Sequence, residues 1–357
     1  MRRLSVVEVG GFVTEAISSA KAEVIYGCTI FRAAPKLAVS SFGCQSSSVT
    51  ESLRTFLVRL RCKKLLVLDN NIVDELGPEG NDSGCLPVRY LVLYGDRRKG
   101  LVAVLQLYMD ESYSHPPAPL VYTIAGYVSE SYRWSRFERE WQKVLDAEGI
   151  EFFHMKDYAH KRGVYADWTD KKRIKFLRTL QHIIKSNTEK DFAISLVVED
   201  YNKLIPPNTQ IRIGFGEPHV FVVIGCMKDI GKWQKSKHIN KPVHYVFEKG
   251  SGYDSMLKRV FEGLDGEQIK FYRVNDTVTF AGKNVLPLQA ADMLAYENRL
   301  ELCRRLNPEN RRKPRESLKN LERPESHWVF YDEPNLEIVL GHAERAGLIS
   351  RASAANE

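Results

Sequence analysis

An almost unbroken apolar run, LVAVLQLYMDESYS over residues 101–114, is the most regular feature of the hydrophobic pattern. From Leu101 to Asp110 it contains one uncharged polar side chain, Gln106. A strand that is covered on both faces shows such a run in place of strict alternation, so the pattern predicts a central, buried strand. Asp110 and Glu111 follow where this strand leaves the core. Acids also commonly begin the turn after a strand, so on their own they do not indicate a site.

Changes of hydrophobic period downstream predict alternating strands and helices. The prolines of HPPAP cannot continue a strand ladder, and LVYTIAGYVS resumes after them, so we expect an antiparallel hairpin. Apolar residues then recur every three or four positions as far as Gly149, which predicts an amphipathic helix that ends there. A second such pattern, with Ile174 on its apolar face, predicts a helix capped by Thr169 or Asp170.

The remaining segments complete an α/β order with five strands. The β-branched segment DFAISLVVED predicts a third strand, PNTQIRIGFGEP a loop, and the apolar segment beginning at Pro218 a buried helix. KPVHYVFEKG predicts a short strand ending at Glu248, followed by a helix with Asp254 as its cap. IKFYRV predicts the fifth strand, and PLQAADMLAYENRLELCRRL predicts a long closing helix.

Both ends of the chain differ from this patterned middle. Residues 1–100 carry Gly- and Ser-rich stretches and weak periodicity, so we expect a poorly ordered N-terminal extension. Residues 307–357 are predicted to be a polar tail that could add one short helix. The basic run RRKPR in this tail could grip a phosphate backbone or could be a solvated surface. The folded domain is therefore expected over residues 101–306.

Composition indicates a globular protein inside the cell. Hydrophobic residues make up 43% of the 357 positions and charged residues 27%, which excludes a wholly disordered chain. The net charge of +7 is compatible with a polyanionic partner without requiring one. No apolar run reaches the roughly 18 residues of a membrane span, and acids interrupt the N-terminal stretch where a signal peptide would be apolar. The six cysteines form no CxxC pair, so we expect a reduced, cytoplasmic location.

Three acids from distant parts of the chain are expected to meet. A strand–helix–strand crossover lays the new strand parallel to its neighbour, so Asp110 and Glu248 are expected at one edge of the sheet. Asp292 is a lone charge in an apolar stretch of the closing helix, and such a charge is costly to bury without a partner. Hard cations such as Mg²⁺ prefer carboxylate oxygens, so a divalent-metal site is one explanation. A helix-dipole contact of Asp292 and a surface pair between Glu248 and Lys249 are the alternatives.

These motifs together resemble a bacterial and phage family known as domain of unknown function 3800. The resemblance rests on the strand that ends in Asp-Glu-Ser, on FFHMKDY and on LQAADMLAY, and it covers roughly residues 101–305. An Asp-Glu near the start and a Gln-x-x-Asp near the end of the family pattern are matched by Asp110, Glu111, Gln289 and Asp292. The resemblance implies a ribonuclease H-like fold, with a mixed five-stranded sheet flanked by helices, and metal-dependent nuclease or strand-transfer chemistry. Glu248 is assigned from strand order and not from this pattern.

His154 and Asp157 also match the family pattern. Three residues apart on a helical turn they share a face, so the pair could orient a phosphate, shuttle a proton or supply a metal ligand. A histidine that is hydrogen-bonded within the surrounding aromatic cluster is the structural alternative. His160 would face elsewhere on a continuous helix, so a His-Asp-His metal site is a minor alternative.

We therefore predict a divalent-metal-dependent, nuclease-like phosphodiesterase that acts on nucleic acid, with Mg²⁺ or Mn²⁺ held by Asp110, Glu248 and Asp292. The predicted catalytic set is Asp110, Glu111, His154, Asp157, Glu248, Gln289 and Asp292. A non-catalytic module that binds nucleic acid or protein on the same fold is the alternative. The sequence contains no phosphate-binding loop and no Gly-x-Ser-x-Gly elbow, which disfavours nucleotide hydrolysis and acyl transfer.

Overall fold

A six-stranded mixed sheet forms the centre of the fold in the computed structural model, which describes residues 104–116, 118–250, 252–275, 278–307 and 312–349. The strands are β1 (Leu105–Tyr113), β2 (Val121–Glu130), β3 (Lys190–Val197), β4 (Val243–Glu248), β5 (Thr279–Ala281) and β6 (His327–Tyr331). Their spatial order is β5-β4-β1-β2-β3-β6. β2 runs antiparallel to β1 and β3, and every other neighbouring pair is parallel. The chain is thus an α/β protein, as predicted.

Helices cover both faces of this sheet. The α-helices of the described residues are α1 (Ser131–Glu148), α2 (Met155–Ala159), α3 (Asp170–Asn187), α4 (Val198–Leu204), α5 (Gln210–Phe215), α6 (Pro218–Ser236), α7 (Asp254–Glu262), α8 (Gly266–Tyr272), α9 (Leu286–Leu306), α10 (Glu316–Leu321) and α11 (Glu333–Arg345). α1, α3 and α9 pack on one face, and α6, α7 and α11 pack on the other. Within the described ranges, no helix has both the length and the apolar character needed to cross a membrane.

The central strand is buried on both faces, as its apolar run predicts. β1 lies between β4 and β2, and Leu105 through Asp110 are all buried. Tyr108 packs in the core beneath α9, whereas Leu107 and Met109 pack in the core beneath α6. Because successive side chains of a strand point to opposite faces, Asp110 continues the α9 side and Glu111 the α6 side. This alternation decides which acids can meet.

One long amphipathic helix ends, and another begins, where the sequence predicts. Gly149 ends α1 in the left-handed conformation with φ 65°, and Ile150 N donates to Leu145 O at 3.0 Å, which satisfies a carbonyl of the last turn. Thr169 caps α3 and accepts a hydrogen bond from Lys172 N at 3.3 Å. Ile174, predicted on the buried face of α3, is 51% exposed instead. Residues one and two turns after Ile174 on α3 make the contacts with the core.

Three short elements differ from the prediction, and local capping explains two of them. IKFYRV is not a strand, because the capping box of Asp265 and Gln268 starts helix α8 just before it. The predicted loop PNTQIRIGFGEP contains α5, where Thr209 accepts a hydrogen bond from Arg212 N at 3.2 Å. Asp254 is the first residue of α7 and not its cap, which is Tyr253. The fifth strand is β5, at 279–281.

The predicted five-stranded sheet is wrong in its number of strands, because the C-terminal segment adds β6 beside β3. Trp328 fixes this strand by donating from Nε1 to Asp191 Oδ2 at 2.7 Å. Five residues in a polar, proline-punctuated segment gave no periodic signal long enough to predict a strand. The helix predicted near the C-terminus is present as α11. The extension predicted over residues 1–100 lies outside the described residues, and so does its boundary.

Candidate active site

Asp110 lies at the carboxyl end of β1, beneath α9, and is 5% exposed. Its Oδ1 accepts a hydrogen bond from Glu111 N at 2.7 Å. Burial, followed by the negative charges of Asp292 and Glu248, raises the pKa of Asp110 well above its usual value. Asp110 therefore lies close to both of these acids at one edge of the sheet.

Glu248 ends β4, which pairs in parallel with β1 as the crossover rule predicts. Its side chain is 17% exposed and lies 3.5 Å from Lys283 Nζ. Lys249, the alternative partner considered from the sequence, instead donates its backbone N–H to Ala281 O at 2.8 Å. The ammonium of Lys283 is therefore the cation that the described structure places beside this acid.

Asp292 reaches the same edge from α9 and is half-buried. Its Oδ2 accepts a hydrogen bond from Met155 N at 2.7 Å. Burial raises the pKa of Asp292 to about 6, although the Met155 bond and the charges of His154 and Lys283 act in the opposite direction. Asp292 lies in the second turn of α9, beyond the first turn, where the helix dipole favours an acid. The dipole alone therefore does not explain its position.

The three carboxylates have the donor chemistry of a Mg²⁺ or Mn²⁺ site, but they are not arranged around one point. Asp292 and Glu248 both perturb Asp110, and Glu248 perturbs Asp292, so all three lie within electrostatic reach of one another. Hard oxygen donors whose mutual repulsion a cation would relieve suit a divalent ion. Over the described ranges, however, no three His, Cys, Asp or Glu side chains are grouped so that they could hold a metal ion as they stand. Binding would require these side chains to rearrange around the ion.

Gln289, one turn before Asp292 on α9, holds the surrounding segments together. Its Oε1 accepts hydrogen bonds from Trp141 Nε1 at 2.9 Å and from Phe153 N at 3.0 Å. Its Nε2 donates to Lys283 O at 3.1 Å. Gln289 is 3% exposed, so these bonds replace water that cannot reach it. Gln289 thus positions the residues around the acids and does not itself face a substrate.

His154 and Asp157 form the pair that their spacing predicts. His154 Nδ1 lies 2.8 Å from Asp157 Oδ2 at the start of α2. Because an ionised carboxylate can only accept, Nδ1–H donates and Nε2 is left for another partner. His154 is bonded to this acid and not to the aromatic cluster that the structural alternative invoked. His160 is exposed at the end of α2, and the described chain supports no His-Asp-His metal group.

Glu111 is not part of the carboxylate group in this structure. Its Oε2 accepts hydrogen bonds from the hydroxyls of Tyr113 and Tyr122, the latter at 2.7 Å. These tyrosines belong to the core on the α6 side of the sheet. The structure therefore places Glu111 on the opposite face from Asp110, as strand alternation requires.

Two features of the site were not predicted. Lys283 lies in a four-residue loop between β5 and α9, and no periodic signal marks a loop residue as a partner of Glu248. Met155 contributes its backbone N–H, which every residue except proline carries, so residue type gives no signal for it.

No family model matches the sequence, and no curated protein matches it. The site is therefore interpreted from its own residues, and the resemblance to domain of unknown function 3800 stays a prediction.

Proposed function

We propose that this chain is a divalent-metal-dependent phosphodiesterase that acts on nucleic acid. The proposal rests on one observation: acids from β1, β4 and α9 meet at one edge of the sheet. The negative charges of Asp292 and Glu248 both raise the pKa of Asp110 there. Carboxylates that raise one another's pKa in this way are common at functional sites and unfavourable elsewhere.

Each side chain has a defined role in this proposal. Mg²⁺ or Mn²⁺ would be held by Asp110, Glu248 and Asp292. When bound, the ion would stabilise negative charge on a phosphoryl oxygen and activate a water molecule for attack. His154, oriented through Nδ1 by Asp157, presents Nε2 to move a proton to or from the substrate.

The sheet supports the ribonuclease H-like part of the proposal. Five of its strands, β5-β4-β1-β2-β3, form a mixed sheet in which β2 alone is antiparallel, and helices lie on both sides. This is the arrangement that the resemblance to domain of unknown function 3800 implies. β6 extends it by one strand at the β3 edge.

Metal titration combined with a cleavage assay tests the proposal. We expect Mn²⁺ binding by calorimetry and metal-dependent cleavage of single- or double-stranded RNA or DNA, both lost in Asp110→Asn and Asp292→Asn. Asp146→Asn is the matched control, because Asp146 is an exposed acid on α1 whose described side-chain contact is Gln142. Cleavage that persists unchanged in both site variants would remove these acids from the mechanism.

A non-catalytic module that binds nucleic acid or protein is the second candidate. It is favoured by the finding that Glu248 is paired with Lys283 and that, within the described residues, the three acids are not grouped around an ion. Nucleic-acid binding that is independent of both metal and Asp110 would establish this function in place of the first.

A further inference from the structure

Arg299 lies on the same face of α9 as Asp292, two helical turns later. Seven residues at 1.5 Å per residue separate the two by about 10 Å along the helix. Arg299 Nε donates to Ser112 Oγ at 2.9 Å. Ser112 is two residues after Asp110 on β1, so it shares the face of the sheet that carries the acids. Arg299 is thereby tied to the same sheet edge as the candidate active site.

No described acid forms an ion pair with Arg299, although the charge of Glu297 interacts with it at longer range. Its described contacts are the hydroxyl of Ser112 and the ring of Tyr296, whose centroid lies 5.0 Å from the guanidinium carbon. No carboxylate within the described ranges comes within ion-pair distance of it. Arg299 is nevertheless half-buried. A partly buried guanidinium that makes no ion pair can donate to an anionic ligand.

Other arginines near the end of α9 behave differently. Arg304 and Arg305 both pair with Glu301, at 2.6 and 2.9 Å. Glu297, two residues before Arg299, pairs with Arg315 at 2.9 Å. Acids are therefore available along this helix and are used by other cations. Arg299 instead faces the sheet edge where the acids collect.

We propose that Arg299 binds a phosphate of the substrate strand other than the one at the carboxylates. Nε is fixed by Ser112, and the two terminal nitrogens can donate together to the non-bridging oxygens of a phosphate, as a planar guanidinium does. A spacing of about 10 Å along α9 places that phosphate a short way along the same strand from the phosphate at the carboxylates. The inference rests on the proposed function and deepens it, because it makes a polynucleotide strand the substrate, and not a single phosphodiester.

Salt-dependent binding tests this role without any catalysis. A fluorescein-labelled single-stranded oligonucleotide is titrated with the full-length protein by anisotropy, in EDTA, over a series of KCl concentrations. We expect Arg299→Gln to weaken binding and to reduce the slope of log K against log[KCl] by about 0.7, the value for loss of one phosphate contact on a single strand. Arg299→Lys keeps the charge, so it should retain the slope and lose part of the affinity, because the bidentate geometry is gone.

Arg259→Gln is the matched control, since Arg259 is an exposed arginine on α7, on the opposite face of the sheet. It should leave both slope and affinity unchanged. An Arg299→Gln slope equal to that of the unmodified protein, or an unmodified protein that binds no oligonucleotide, overturns the inference. If Arg299→Gln does not fold, Arg299→Lys decides, because an unchanged affinity in that variant also overturns it. A reduced slope without any metal-dependent cleavage keeps the Arg299 contact and removes the phosphodiesterase.

Discussion

Replacement of Asp292 by Asn is expected to stabilise the protein at neutral pH while it removes the proposed activity. Burial raises the pKa of Asp292 from 3.8 to about 6, so between these pH values the folded state holds a proton that the unfolded state has released. Stability therefore falls as the pH rises from about 4 to about 6, and the loss persists at pH 7.

The size of the effect follows from the pKa. A rise from 3.8 to about 6 corresponds to roughly 3 kcal/mol of unfolding free energy at pH 7. Because Asn resembles the protonated carboxyl, Asp292→Asn should gain on the order of 1–3 kcal/mol at pH 7 and nothing near pH 4. In a domain of this size each kcal/mol raises the melting temperature by about 2–4 °C.

Urea denaturation followed by tryptophan fluorescence at pH 4, 5, 6 and 7 measures the difference between the two proteins. Asp146→Asn, which changes an exposed acid, should follow the unmodified protein at every pH. Stability profiles of Asp292→Asn and the unmodified protein that run parallel from pH 4 to pH 7 would refute the reasoning, because the buried charge would then cost nothing.

Three further outcomes are expected in the same denaturation assay. Gln289→Ala leaves one indole and one backbone donor buried without an acceptor, so it should destabilise the protein by about 2–5 kcal/mol. Gly126→Ala should be at least as harmful, because a Cβ there would lie 2.1 Å from Tyr108 O, inside the β1–β2 pair; wild-type stability would contradict the described register. Lys283→Gln removes a charge that lowers the pKa of Asp292, so the pH range in which stability falls should move upward. An unchanged range would show that Lys283 does not affect the titration of Asp292.

Long periodic segments made much of the fold predictable. β1 and α9 could be predicted directly from the sequence, because β1 contains six consecutive buried residues and α9 is mostly buried along its 21 residues. The approach of Asp110 to Glu248 follows from the crossover rule, since parallel neighbours end at the same edge. Asp292 could be placed near them because a lone charge in an apolar helix needs a partner.

Short elements and backbone contacts were not predictable in the same way. IKFYRV has residues typical of a strand, but the capping box at Asp265 stabilises a helix there. The position of Glu111 was predictable from strand alternation, because adjacent residues of a strand face opposite ways even where they form one sequence motif. The Met155 N–H and the Lys283 ammonium depend on loop paths that no periodicity encodes.

The two hydrogen bonds that α9 makes to alternate backbone groups of the 153–155 segment join parts of the chain that lie more than 130 residues apart. When β1 to β4 have been synthesised, the nascent chain therefore contains the first two acids but not the helix that carries the third. Contacts of such long range form late in folding. On this account a nascent or C-terminally truncated chain lacking residues 286–306 has no assembled centre. Under the proposed function, nucleic acid near the ribosome would meet the complete centre only after the closing helix has docked.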